Sequence, residues 1–203
     1  MILKVTTLSK YFNLSPIFRD FSLTVNSGEK IGLNGPNGSG KTTLLKMISG
    51  ITSIDSGEIQ INGLEVNPEQ TNSRKNVFYL GHSVGLYPGL TGQENLEFMA
   101  GLYSQSTSTI PDILSKVGLG TNESKLLKFY SQGMRQRLKL ASALVIDPNV
   151  LLLDEPLTGL DPDGIQLFET ILSNWDSRGK TMVIVSHNLD WLSRITDRII
   201  TLA

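Results

Sequence analysis

The stretch Gly35 to Thr42, GPNGSGKT, carries the first chemistry legible in this chain. It fits the GxxxxGK[ST] pattern in full, and it sits after the strand-like run KIGLN and before the helix-like run TTLLKMIS, the context its mechanism needs. Glycines let backbone N–H groups turn inward onto phosphate oxygens, and a helix N-terminus adds partial positive charge. Gly35, Pro36, Asn37, Gly38, Ser39, Gly40, Lys41, Thr42 and Thr43 are therefore expected to hold the phosphates of a nucleotide. Lys41 should reach the β and γ phosphates, and Thr42 should offer its hydroxyl to Mg²⁺. Hydrogen bonds to charged groups contribute roughly 1.5–3 kcal/mol each, so several acting together support micromolar binding.

Two further segments complete a phosphate-handling set. VLLLDEP (Val150 to Pro156) ends an apolar run in two carboxylates, and the carboxyl ends of strands are where ligands bind in open α/β sheets. Asp154 is suited to holding Mg²⁺ through its water shell, and Glu155 to orienting or deprotonating an attacking water. In YSQGMRQR (Tyr130 to Arg137), Ser131 is a natural N-cap and Gly133 lets backbone approach an anion at a helix start. Arg135 and Arg137 read as a solvated face.

The elements that must position these residues follow from periodicity. β-rich runs ILKVTTL, FSLTV, KIGLNG and EIQING come first, the last closing on the hairpin dipeptide Asn62-Gly63. A helix from Lys41 to Ser49 stops at Gly50. VFYL (Val77 to Leu80) is a further strand, after which helices take over: Thr91 with Glu94 forms a capping box, a Thr109 cap with Pro111 starts a short helix, and Ser131 starts a longer one ending near Asp147-Pro148. Strand character returns in VLLL and TMVIV, separated by a helix with Ile165, Phe168, Ile171, Leu172 and Trp175 on one side. Continuous apolar strands between amphipathic helices predict a parallel sheet buried on both faces. The fold class expected is α/β, a P-loop NTPase with a parallel core sheet, an N-terminal antiparallel β layer and an inserted α-helical lobe. Residues 1–84 and 147–203 would form the nucleotide-binding core of a single domain, and 85–146 the lobe.

Composition excludes several function classes. Nineteen acidic against eighteen basic residues, a net charge of -1, give no global field for nucleic acid or anionic lipid. The longest apolar runs are strand-length, far short of the ~20 residues of a spanning helix. MILKVTTLSK does not read as a signal peptide, so a cytoplasmic protein without direct membrane insertion is expected. With no cysteine and two histidines, His82 and His187, disulfides, thiol catalysis and a heme or transition-metal site are not expected.

The order of GPNGSGKTT, YSQGMRQR, VLLLDEP, LTGLDP and an isolated Ser-His in VIVSHN resembles the ATP-binding-cassette (ABC) ATPases nearly end to end. The resemblance implies ATP and Mg²⁺ as ligands, and ATP hydrolysis as the reaction. It also implies a homodimer or paired cassette closed head to tail, in which Ser131, Gly133 and Asp161 serve the partner's nucleotide. His187 would contact the γ phosphate or the attacking water, and Tyr11, with Phe12 as competitor, would stack on adenine. The catalytic set so implied is Glu155, His187 and Lys41. A polytopic membrane permease would be the partner, holding the chain at the cytoplasmic face of the membrane. Two departures stand out: Tyr130-Ser131-Gln132-Gly133-Met134 where the family usually has LSGGQ, and His82 where most members have a Gln that couples to Mg²⁺. A neutral His82 can accept a hydrogen bond and loses that capacity on protonation near its ordinary pKa of about 6.5. The segment YLGHSVGLYPGLTGQENLEF resembles the heme-exporter subunits of cytochrome c maturation; the alternative is a soluble cassette ATPase of a non-transport assembly such as iron-sulfur cluster assembly.

Overall fold

The computed structural model describes residues 1–66, 75–81, 85–122 and 124–202. Among these residues the strands and α-helices are, in chain order, β1 (Leu3–Phe12), β2 (Ser15–Val25), β3 (Lys30–Asn34), α1 (Lys41–Ile48), β4 (Ser56–Ile61), β5 (Leu64–Glu65), β6 (Val77–Leu80), α2 (Gly92–Tyr103), α3 (Ile110–Lys116), α4 (Gln132–Ile146), β7 (Val150–Asp154), α5 (Pro162–Ser177), β8 (Thr181–Val185), α6 (Leu189–Ile195) and β9 (Arg198–Thr201). They build an antiparallel sheet of order β2-β1-β4-β5 and a second sheet of order β6-β7-β8-β3-β9. In the second sheet β3 pairs in parallel with β8 and β9, and β7 with β8.

The expected architecture is present: an α/β fold with one parallel and one antiparallel sheet and a set of helices. Every residue of β7 and β8 is buried, as uninterrupted apolar strands require when both faces are covered. Asn62 and Gly63 take φ of 53° and 76°, the left-handed pair that a two-residue hairpin turn demands, and they join β4 to β5.

The chain divides into two compact units. The first comprises Met1–Tyr79, Pro148–Glu155 and Asp176–Ala203; the second comprises Leu80–Asp147 and Pro156–Trp175. Pro156–Trp175, which the sequence places in the core segment 147–203, thus groups with the helical unit, because that stretch packs on the start of α4.

In the first unit α1 shows what secures the phosphate loop. The helix has only eight residues, and its N-cap Gly40 makes no side-chain cap bond. Leu44, Leu45 and Ile48 are fully buried in a core shared with Leu3, Ile59, Leu152 and Val183. Burying such a side chain contributes ~1.5–3 kcal/mol, against ~1 kcal/mol for a good cap. Burial therefore fixes the helix, and with it the loop at its start.

In the second unit α2, α3 and α4 pack together. The Thr91 and Glu94 capping box forms in full, each side chain accepting from the other's backbone N–H. Ser131 caps α4 by accepting from Met134 N–H at 3.2 Å. Thr109 does not cap α3 through its side chain: at φ -89° and ψ -6° it is already helical, and the extended conformation that aims a cap hydroxyl at the first turn is missing. Among the described strands and α-helices, α6 and β9 carry no clear signal in the sequence. The first is a seven-residue helix capped by Asn188, which accepts from Trp191 N–H, and the second a four-residue edge strand of which three residues are exposed and none is buried.

Candidate functional site

The phosphate loop, the end of β7 and the end of β8 meet in the first unit around a cleft of about 310 Å³. Asn37, Gly38, Gly40, Lys41, Thr42 and Thr43 line it together with Asp154, Glu155 and His187. Gly40 sits at φ +90°, and a Cβ there would lie 2.5 Å from Ile17 Cγ2, so backbone freedom and the close approach of β2 both demand glycine. Lys41 is 8% exposed, and its ammonium donates to Gly35 O at 2.7 Å and Pro36 O at 2.9 Å. Its cation is thereby held at the mouth of the loop. A phosphate oxygen, being charged, is a stronger acceptor than either carbonyl.

Asp154, buried at the end of β7, faces two donors. Its Oδ1 accepts from the Thr42 hydroxyl at 3.2 Å, and its Oδ2 accepts from the Tyr79 hydroxyl at 2.7 Å. Burial pushes the Tyr79 phenol far above its ordinary range, with the hydrogen bond to Asp154 and the carboxylate charge adding to the effect, so the phenol stays a donor.

Glu155 follows in a left-handed conformation, φ 51°, with its backbone N–H on Val185 O at 3.0 Å. That sparsely populated backbone state turns the carboxylate back towards β8. Glu155 Oε2 accepts the His187 backbone N–H at 3.3 Å, while Oε1 lies 3.3 Å from His187 Nε2. Oε1 is buried and makes no hydrogen bond, and so is the hydroxyl of Ser39 in the loop.

The orphaned oxygen of Glu155, a residue that lines the cleft, suits a polar ligand there. The donors around Asp154 suit Mg²⁺: a hydroxyl and a carboxylate are hard oxygen ligands, and an ion that keeps its waters and shares phosphate oxygens needs no protein cage. Among the described residues no cluster of three or more His, Asp or Glu could hold a metal by itself. His82 lies outside the described residues. Tyr11 and Phe12 are both exposed at the end of β1, outside the cleft lining, with Tyr11 N–H on Asp55 Oδ2 at 2.7 Å.

The second unit assembles the other predicted residues. A Cβ on Gly133 would lie 3.4 Å from Gly159 O, and one on Gly159, at φ +81°, would strike the Gln132 side chain at 2.7 Å. Gln136 Nε2 donates to Pro156 O at 2.8 Å. Asp161 accepts from Gly164 N–H at 2.8 Å and from Arg137 Nη2 at 3.2 Å. The Gly164 N–H holds the Asp161 carboxyl below the usual carboxylate range, with Arg137 adding to it. Arg137, read from sequence as part of a solvated face, instead binds Asp161 and Val117 O. Arg135 is exposed, as that reading has it.

Three contributors were not singled out from sequence. Ile17 and Val185 line the cleft as ordinary apolar residues of strands, and nothing local marks them. Tyr79 did carry a signal, since a tyrosine in the buried strand VFYL has a polar tip that needs a partner.

A phosphate loop opening a helix, a hydroxyl and carboxylate pair and a carboxylate and histidine pair, all at strand ends of a parallel sheet, define a P-loop nucleotide-binding α/β protein. The profile of the family described as ABC transporter matches residues 18–158, and the chain belongs to that family as an ATP-binding subunit. It is 35% identical over 199 residues to the lantibiotic transport ATP-binding protein SrtF of Streptococcus pyogenes, covering 97% of this chain and 84% of that protein. It is 42% identical over 188 residues to an uncharacterized ABC transporter ATP-binding protein of Nostoc sp., covering 90% of this chain and 56% of the relative. The fold matches an ATP-binding subunit of an ABC transporter with a TM-score of 0.92 at 28% identity, over 100% of this chain and 86% of that one. It also matches a dimeric ATP-binding cassette in a post-hydrolysis state bound to ADP and Pi, with a TM-score of 0.89 at 25% identity, over 99% of this chain and 94% of that one.

Proposed function

We propose that the chain binds ATP·Mg²⁺, hydrolyses the γ phosphate and drives a separate membrane subunit, two cassettes closing head to tail around the nucleotides. The observation that carries this reading is that Glu155 and His187, 3.3 Å apart, line the same cleft as Lys41 and Thr42, with Asp154 on the Thr42 hydroxyl. Phosphoryl transfer asks mainly for positioning and charge neutralisation, which these groups supply. The loop amides and Lys41 hold the phosphates. Thr42 and Asp154 would hold Mg²⁺, which when bound neutralises phosphate charge. Glu155, with Oε1 free of hydrogen bonds, accepts from the attacking water, and His187 donates to the γ phosphate or orients that water. Tyr11, or Phe12 beside it, offers a ring for adenine.

Ser131, Gly133 and Asp161 complete the partner's site in this reading. The dimeric ADP-bound relative supports it, and so does the clustering of Gly133, Gly159 and Asp161 on one unit. Attachment to the cytoplasmic face through a permease is supported by relatives named for transport, and no described helix is long and apolar enough to cross a membrane. Relatives named for lantibiotic transport, linearmycin resistance and Nod factor export favour export of a small compound. The heme-export cargo expected from YLGH rests on that segment alone, and those names lend it no support. Affinity capture from detergent-solubilised membranes tests the reading: a co-purifying polytopic membrane protein is expected, and recovery of soluble proteins alone would favour a non-transport assembly.

A further inference from the structure

We propose that Tyr79 is a positioning residue for Asp154, which would help hold Mg²⁺, its hydroxyl fixing one carboxylate oxygen so that the other stays on the Thr42 hydroxyl. The inference deepens the ATP·Mg²⁺ reading above and rests on it. Tyr79 stands on β6, next to β7 in the sheet, and is buried, as is Asp154. The two side chains meet at 2.7 Å between Oη and Oδ2, while Oδ1 faces Thr42 Oγ1 at 3.2 Å.

The two oxygens of this carboxylate therefore have different duties. An ionised carboxylate is acceptor-only on both oxygens, and rotation about its terminal torsion exchanges them freely unless one is held. The Tyr79 contact breaks that equivalence. Most side-chain hydrogen bonds in proteins go to backbone or water. Here a buried tyrosine, the one side chain of Val77–Leu80 with a hydrogen-bond donor, spends its hydroxyl on a carboxylate one residue before Glu155. Groups that orient a metal's ligands affect metal affinity nearly as the ligands do, with losses of roughly 10–100-fold on mutation. The aromatic ring alone would satisfy packing in β6; the hydroxyl has the added task.

The test compares the full-length protein with Tyr79→Phe, which keeps the ring. A non-hydrolysable ATP analogue is titrated by calorimetry with Mg²⁺ and with chelator, and Mn²⁺ binding in the analogue complex is followed by electron paramagnetic resonance. The expected result is a rise of roughly ten-fold or more in the divalent-ion concentration for half-saturation, with analogue affinity in chelator and melting temperature nearly unchanged. Tyr79→Met, which fills the same space without a donor, should behave alike and stands in if the phenylalanine variant does not fold. An unchanged ion requirement in the variant, or an equal loss of affinity in chelator, would overturn the positioning role. If Mg²⁺ fails to strengthen analogue binding in the unmodified protein, the ATP·Mg²⁺ reading falls and this role falls with it.

Discussion

Glu155 and His187 are joined twice. The backbone N–H of His187 donates to Glu155 Oε2 at 3.3 Å, and the imidazole Nε2 stands 3.3 Å from Oε1. The first contact sets the carboxylate against the end of β8, and the second brings the imidazole nitrogen close to the oxygen that is left without a hydrogen bond. Position and chemistry are thus divided between backbone and side chain.

Removing only the ring separates them. His187→Ala keeps the backbone contact to Glu155, so nucleotide affinity should stay within about two-fold while steady-state hydrolysis falls by roughly 100-fold or more, the scale of a positioned proton-transfer or orienting group. A parallel loss of affinity would assign the histidine to binding instead.

Lys41→Ala acts on binding itself. Hydrogen bonds from a charged donor contribute roughly 1.5–3 kcal/mol, so the ATP dissociation constant should rise by about 10- to 100-fold in calorimetry. Intact affinity would mean that the ammonium stays on Gly35 O and Pro36 O with nucleotide bound.

Ser131 caps α4, and in the proposed function it also serves the partner's nucleotide; a pair of variants can separate the two. Ser131→Ala loses the α4 cap at a cost of about 1 kcal/mol, whereas Ser131→Asn can keep a cap. Both should impair ATP-driven dimer formation and hydrolysis while monomer ATP affinity is nearly intact. A large loss of monomer binding would show that the segment serves its own nucleotide.

The α2 start supplies a stability prediction with a sign. Glu94 accepts the Thr91 backbone N–H and hydroxyl, which hold its carboxyl below the ordinary value of 4.5. A carboxyl lowered in the folded state stabilises fully above its unfolded pKa, and that stability fades as pH falls through the folded value. Glu94→Gln should therefore flatten the acid side of the melting-temperature profile below about pH 4.5. Thr91→Ala should cost about 1 kcal/mol at neutral pH, or about 2–4 °C in melting temperature.

What could be read in the sequence was local. The phosphate loop needs only its glycines, Lys41 and a following helix; the Ser131 cap and the Thr91 box each close within three residues. Uninterrupted apolar runs announced β7 and β8. The contacts left unread join residues distant in the chain: Tyr79 with Asp154, Gln132 with Gly159, and Arg137 with Asp161. A charged residue on a helix reads as solvated until a partner arrives from another element, and Arg137 finds one in Asp161. Likewise α6 and β9 are too short for periodicity to register, and tertiary pairing with β3 decides the strand.

ATP turnover by Glu155→Gln at saturating Mg·ATP tests the central claim most directly. The amide keeps the shape of the side chain and cannot take a proton from water. Turnover should fall by at least roughly 100-fold, with ATP affinity preserved and an ATP-bound dimer accumulating. Turnover equal to that of the unmodified protein would contradict the role of Glu155 and with it the proposed mechanism.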